Sequence, residues 1–488
     1  MQSNLPILLF LVPFLASMVG AIVGWYVRHA ARRIALVAMA ATAGISILAL
    51  FRVLEIGSLH THMAGWPPPI GIEVLLDPLS AFIAATIAVV GLIVVAGAVE
   101  HSGAELPRRK VVYYPSILLL MSGLMGITIT GDLFNLFVQI EVASLAAYGL
   151  VAAGGRGAPR AALNYLIIGS LGASLYLMGV GFIYAATGTL NMAQVATLLA
   201  EADQRLVLVG GLLMVGGLAT KMGLFPFHVW MPAAYSRAPT AAAAFMAPLV
   251  TKVSAYALIR VLFWVFAGGA LLVDDLLLEV VAWAGAAAVV LGSVLAFMQT
   301  DLRRLLAYSS VGQMGVVALG AGLANATAMT GAIMHIANDA LMKGALFLAA
   351  GMALIRFGVR NVDELARLRG QAPWTMAVVV VAGLSLIGIP PLSGFFGKWY
   401  VLSGAIEEAR WAFVVALAVG SLAAVGYVFR ILEPLFFRPP DTGPLAREGN
   451  WALVVACVLL ATLMIVLGVG NERLVTVFIM PALPGLVP

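Results

Sequence analysis

Apolar runs of about 20 residues recur from one end of this chain to the other, the length a helix needs to cross roughly 30 Å of hydrocarbon at 1.5 Å per residue. No stretch between them is long enough to fold as a soluble domain. Of 488 residues only 10% are charged and 62% are hydrophobic, with a mean hydropathy of +1.06. That composition demands an all-α membrane protein, whose helices satisfy their own backbone groups in lipid. About fourteen transmembrane helices are expected, the first over 5–27 and the last over 450–470. The first run follows no basic stretch and ends in no small-residue cleavage site, so it reads as a retained helix.

Several function classes fall away. The net charge of +5 is spread over the connections between apolar runs, which speaks for a membrane and not for nucleic acid. The lone Cys457 cannot hold an iron–sulfur cluster, and His60 and His62, expected in a loop, have no third ligand at metal spacing. With no phosphate-binding loop either, no cofactor is expected.

The bases alternate. Arg28, Arg32 and Arg33, then Arg108, Arg109 and Lys110, then Arg156 and Arg160, then Arg237, fall in every second connection. The same parity holds for Arg303 and Arg304, for Arg356, Arg360, Arg367 and Arg369, and for Arg438 and Arg447. The intervening connections carry acids such as Glu201, Asp203, Asp274, Asp275, Glu407 and Glu408. Basic connections stay in the cytoplasm, so both termini are expected outside it.

Proline interrupts two runs, between Lys221 and Pro232 and between Gly388 and Lys398. Each removes a backbone donor at membrane depth, giving either a kink or a discontinuous helix. Their spacing, and a lysine in each, suggest two five-helix repeats. An odd number of crossings inverts the second copy relative to the first. The expected organisation is three helices in 1–110, a first repeat in 111–267, an inverted repeat in 268–437, and a last helix in 438–488.

The chain has five lysines, and four of them, Lys221, Lys252, Lys343 and Lys398, lie inside apolar segments. Most arginines sit at segment ends. Arginine keeps its proton at any accessible pH, whereas a desolvated lysine can release one. Each unpaired lysine at mid-bilayer costs about 2.5–3.5 kcal/mol, so four would cost on the order of 10 kcal/mol. Glu141, near the bilayer centre, is the natural partner of Lys221. His335, Asp339 and Lys343 recur at four-residue spacing and form one helical stripe, in which Asp339 is expected to pair with Lys343. A packed polar seam would give the same stripe. Asp77 and Asp132, at segment starts, read as helix caps.

Several stretches carry a resemblance. They are Gly131-Asp-Leu-Phe-Asn-Leu-Phe-Val-Gln-Ile-Glu141, Lys221 to Arg237, Thr251 to Arg260, Asp301 to Ser310, and Leu386 to Lys398. In this order they resemble the proton-translocating antiporter-like family. That family comprises the large membrane-arm subunits of respiratory complex I and of Mrp-type sodium/proton antiporters. Asp132 to Val138, Gly188 to Ala193 and Arg360 to Leu365 most resemble the D-type subunits of Mrp antiporters.

The resemblance implies proton translocation along Glu141, Lys221, Lys252, His335, Asp339, Lys343 and Lys398. It implies an ion-translocating subunit of a multisubunit Na+/proton antiporter in a bacterial cytoplasmic membrane, with other membrane subunits as partners and no enzyme activity of its own. The alternative is a proton-pumping subunit of a complex I-like or membrane-bound hydrogenase complex. Two positions depart from the family: Asp339, often histidine in relatives, and Ala233, often acidic.

The alternation of bases predicts that single cysteines at Ser58 and Arg303 label from opposite sides of the membrane. Labelling of both from one side would overturn the helix count.

Overall fold

A computed structural model describes residues 4–27, 29–106, 110–266, 271–439, 448–449 and 451–483. Arg28, Arg108, Arg109 and Arg447 lie outside the described residues. The chain opens with α1 (Leu5–Tyr26) and α2 (Ala30–Ile56), followed by β1 (Leu59–His62) and β2 (Glu73–Leu76). Then come α3 (Pro78–Gly97), α4 (Val99–Glu105), α5 (Lys110–Ile129), α6 (Leu133–Ala152), α7 (Ala158–Thr187) and α8 (Met192–Leu198). The first broken segment is α9 (Gln204–Met222) with α10 (Trp230–Arg237), before α11 (Thr240–Trp264). The second half holds α12 (Leu271–Phe297), α13 (Leu302–Gly322) and α14 (Ala326–Phe357). It continues through α15 (Pro373–Ile387), α16 (Ser393–Glu407), α17 (Trp411–Phe436) and α18 (Trp451–Val469).

Among the described residues, thirteen segments are long and apolar enough to cross a membrane, α9 and α10 counting as one. The fourteenth traversal is made by α15 and α16 together. Each has 15 residues, about 22 Å of helix and too short to cross alone. α16 ends beside the start of α14, where Asn325 Nδ2 donates to Gly404 O at 3.0 Å. α15 begins at the other end, where Glu448 accepts from the Trp374 amide at 3.3 Å. Both proline-interrupted runs are therefore discontinuous helices and not bends.

The hairpin is a departure from an all-helical chain. His60 and His62 stand in a strand, not a loop: β1 pairs antiparallel with β2, Leu59 opposite Leu76 and His62 opposite Glu73. Leu59, Val74 and Leu76 are buried beneath it, and His60 Nδ1 lies 2.7 Å from Glu73 Oε1. Four-residue strands are too short to show periodicity in sequence.

α11 is buried from Thr240 to Leu262, while α1 and α17 are mostly outward-facing. Its first turn is Thr240 followed by four alanines, small enough for neighbouring helices to close on it. Glu105 caps this end, accepting from the Thr240 amide at 2.5 Å and its hydroxyl at 2.8 Å. α14 packs along α11, flanked by α13, α16 and α18.

Two clasps of one design stand at opposite ends of α11. Asp132 bridges to Asn191, where Leu133 N donates to Leu190 O and Met192 N to Gly131 O, both at 2.9 Å. Asp301 bridges to Asn361, where Leu302 N donates to Arg360 O at 3.0 Å and Val362 N to Thr300 O at 2.9 Å. Each aspartate also caps the helix that follows, through the amides of Asn135 at 2.7 Å and Arg304 at 2.9 Å.

Asp77 caps α3 through the Ser80 amide at 2.9 Å, but its larger task is elsewhere. Both its oxygens accept from Arg260 of α11, at 2.6 and 2.7 Å. The guanidinium also donates to the Tyr256 hydroxyl at 3.0 and 3.1 Å and lies 4.2 Å from the Trp264 ring centre. Breaking a buried pair from one side strands the other charge, a cost of about 3–5 kcal/mol. Asp77→Ala should therefore lower the melting temperature of the detergent-solubilised protein sharply, and adding Arg260→Met should recover part of the loss. Additive losses in the double variant would show that the pair does not hold α3 to α11.

Candidate functional site

The first ion pair is built from α6 and the end of α9. Lys221 is the penultimate residue of α9, which Gly223 terminates in the left-handed region at φ +71°. Pro226 prevents the helix from resuming at once. Lys221 Nζ lies 3.2 Å from Glu141 Oε1 and donates to Ser144 Oγ at 2.8 Å and Tyr148 OH at 3.4 Å. The environments differ: the Lys221 side chain is 7% exposed and that of Glu141 is 26% exposed. The break itself is closed by Trp230, whose indole donates at 2.9 Å to the Thr220 carbonyl, which also accepts from the Gly223 amide at 3.2 Å.

The second pair lies at the dry centre. Lys252, halfway along α11, meets Asp339 of α14 with Nζ 2.6 Å from Oδ2, and both side chains are fully buried. Lys252 also donates to Ala247 O at 2.9 Å. This corrects the pairing that helix spacing suggests. Asp339 and Lys343 share a face of α14, but α11 and α13 pack on that helix from different sides. Asp339 turns to α11. Lys343 turns to α13, where Nζ donates to Ser309 Oγ and to Leu306 O at 3.3 Å. His335 Nε2 likewise meets Gln313 Oε1 of α13 at 2.9 Å.

Lys398 occupies the second break. Its Nζ donates to Leu386 O at 2.8 Å and Ile387 O at 3.2 Å, the last carbonyls of α15. A cation at the negative end of a half-helix is well placed. Asn338 of α14 also reaches this break, donating to Ser393 O at 2.7 Å.

Geometry thus joins the seven expected residues into two ion pairs and three lysine or histidine contacts. It brings no direct contact between the Glu141–Lys221 pair and the Lys252–Asp339 pair. Between them runs an aromatic series that sequence reasoning missed. Tyr148 meets Tyr165 at 4.6 Å, and Tyr165 stacks on Trp230 at 4.0 Å. Trp230 meets Tyr235 at 5.9 Å, and Tyr235 meets Phe347 of α14 at 6.0 Å. Ser144, Ser309 and Gln313 were also missed; small polar residues in apolar helices carry no signal of which neighbour they face. The Tyr235 hydroxyl, His335 Nδ1 and Asp339 Oδ1 are buried with no hydrogen-bond partner among the described residues.

Comparison with known proteins fits this architecture. The profile of the family described as NADH:quinone oxidoreductase/Mrp antiporter, transmembrane, matches residues 130–423, more than half of the chain. The NADH-quinone oxidoreductase subunit N of Desulforudis audaxviator is 39% identical, with 100% of both chains covered. The D-type subunit of the Na(+)/H(+) antiporter of Alkalihalophilus pseudofirmus is 33% identical over 96% of this chain and 95% of its own. A chain in the solved Mrp complex from Dietzia sp. superposes with a TM-score of 0.90 at 26% identity, covering 98% of this chain and 96% of that one. A multi-pass bundle with two broken helices, matched by that profile and those relatives, belongs to the NADH:quinone oxidoreductase/Mrp antiporter family of membrane subunits.

Proposed function

We propose that this chain is the ion-translocating, D-type subunit of a multisubunit Na+/proton antiporter, and that protons move along Glu141, Lys221, Lys252, Asp339, His335, Lys343 and Lys398. The observation that carries this reading is the Lys252–Asp339 pair, 2.6 Å apart and fully buried at the middle of the bundle. Such a pair is weak evidence for stability, because desolvating both charges offsets their attraction. A transport role accounts for its presence. The unpartnered atoms of Tyr235, His335 and Asp339 line the same region, and water supplies their missing bonds and the intervening steps. Charge on one lysine alters proton binding at the next, since low-dielectric surroundings leave the field between them unscreened.

The partly exposed edge of Glu141 supports a place in an assembly. A carboxylate facing lipid is costly, so a neighbouring membrane subunit covers it in this reading. The two Asp–Asn clasps at opposite ends of α11 support inverted repeats over 111–267 and 268–437, preceded by 1–110 and followed by 438–488. The arginine-rich end is assigned to the cytoplasm of a bacterium, with both termini outside its inner membrane. A second reading, a proton-pumping subunit of a redox complex, is favoured by the 39% identity to an NADH-quinone oxidoreductase subunit. Identifying the copurifying subunits separates the two: small membrane subunits alone for the antiporter, iron–sulfur proteins for the redox complex.

Two sets of variants test the axis, read in vesicles with a pH-sensitive dye beside a check of assembly. Glu141→Ala and Lys221→Ala should each abolish proton-coupled cation transport in an assembled complex. Lys221→Arg should fail as well, because arginine holds its proton. Near-normal transport by Lys221→Arg would leave that site a purely electrostatic role.

The corrected pairing gives the other set. Asp339→Asn removes the carboxylate that holds Lys252, so its effect should depend on Lys252 and not on Lys343. Transport should drop by about tenfold or more, the scale of one lost charge-assisted contact. Lys252→Met alone should lose transport as well, and the double variant should lose less than the two single losses multiplied. A double variant that loses their full product would show the two residues acting independently.

A further inference from the structure

Five arginines from four alternate connections converge on one cavity of about 1000 Å³ at the end of the bundle where α11 begins. Arg156 lies in the α6–α7 turn and Arg160 in the first turn of α7. Arg237 closes α10, Arg303 opens α13 and Arg360 follows α14. Among the described residues only Arg303 is tethered, donating to Ala238 O at 2.9 Å; the other four are exposed.

Two carboxylates share the cavity wall, and both are committed to helix starts. Glu105 caps α11 and Asp301 caps α13. No ion pair joins either to these five guanidinium groups among the described residues. The wall adds positive character of its own. α7 follows Gly157, in the left-handed region at φ +88°, with no side chain capping it; Ala158 N donates to Gly155 O and Pro159 has no amide hydrogen, so the Arg160 amide alone is left to face outward. Gly154 lets the α6–α7 turn close on α10: a Cβ there would stand 2.5 Å from the Arg237 carbonyl.

This concentration exceeds what a cytoplasmic orientation signal requires, because scattered arginines would serve that equally. It also cannot extend the lysine axis, since arginine does not release protons. Guanidinium forks match the geometry of phosphate oxygens, and none of the described residues lining the wall is a lysine. The volume is that of a small-molecule site, and its place at the helix ends is the level of lipid headgroups. We propose that this cavity binds an anion bearing two or more phosphate charges, either the headgroup of an anionic phospholipid or a soluble oligophosphate.

The test uses the purified complex in detergent. Native mass spectrometry measures retention of cardiolipin and of phosphatidylcholine, and calorimetry measures pyrophosphate binding. Cardiolipin or pyrophosphate should bind and phosphatidylcholine should not; which of the two anions binds identifies the source. Arg160→Gln with Arg237→Gln should weaken that binding by about tenfold or more, the loss expected for one charge-assisted contact or more. Arg304→Gln, whose side chain lies over Tyr308 outside the cavity, should leave it unchanged. If the double variant does not assemble, Arg237→Lys keeps the charge without the fork and should still weaken binding. Unchanged binding in these variants, equal retention of phosphatidylcholine, or binding of hexaglutamate but of neither phosphate probe would overturn the assignment.

Discussion

A bilayer supplies no hydrogen bonds, so every charge placed within it has to find its partner inside the protein. The Lys252–Asp339 pair meets that constraint at the centre of this bundle, and the arrangement around it follows. α11 and α14 have to lie close along much of their length for a 2.6 Å contact to form. Small residues at the start of α11 permit that approach, which leaves Thr240 to Leu262 buried. The remaining helices then act as insulation. α3 is held by Arg260, α13 by Lys343 and His335, and α16 by the packing of Gly331 against Gly397.

Breaking a helix at membrane depth creates the opposite problem, carbonyls without donors. The two breaks solve it with different chemistry. At the end of α15 the donor is Lys398 itself, so that lysine is at once the cap and a candidate proton carrier. At the end of α9 the Gly223 amide and the Trp230 indole both reach the Thr220 carbonyl, and Lys221 turns toward Glu141. Glycine ends both helices, Gly223 and Gly388 standing in the left-handed region, and Pro226 and Pro390 follow within three residues and oppose their resumption.

Much of this was legible in the chain. The apolar runs marked the traversals, prolines marked the breaks, and lysines in apolar surroundings marked buried cations, because each of these signals is local. Asp77 and Asp132 cap helices as their positions imply. What escaped was long-range. The four-residue rule pairs Asp339 with Lys343 because it describes a helix in isolation; in a bundle, the helix packed on that face decides, and α11 offers Lys252. Arg260 stands 183 residues from Asp77, and nothing in the local pattern of either joins them. The cavity arginines looked like ordinary connection residues, since their convergence depends on which turns share an end of the bundle. The hairpin at His60 was hidden by its brevity.

The two ion pairs have like chemistry and unlike surroundings, and that difference bears on direction. Lys252 and Asp339 are fully buried, so the field each feels is set by this chain. Glu141 keeps 26% of its side chain exposed, so a charge on an adjoining subunit acts on it with little intervening protein. Coulomb coupling in a medium of low polarity stays large over such distances, whereas in water it would be screened within about 10 Å. In the proposed axis the edge pair is therefore the one placed to sense a neighbour, and the central pair would respond to it through the intervening aromatic and polar side chains. Reversing these environments, with the exposed carboxylate at the centre and the dry one at the rim, would leave the axis deaf to the assembly around it.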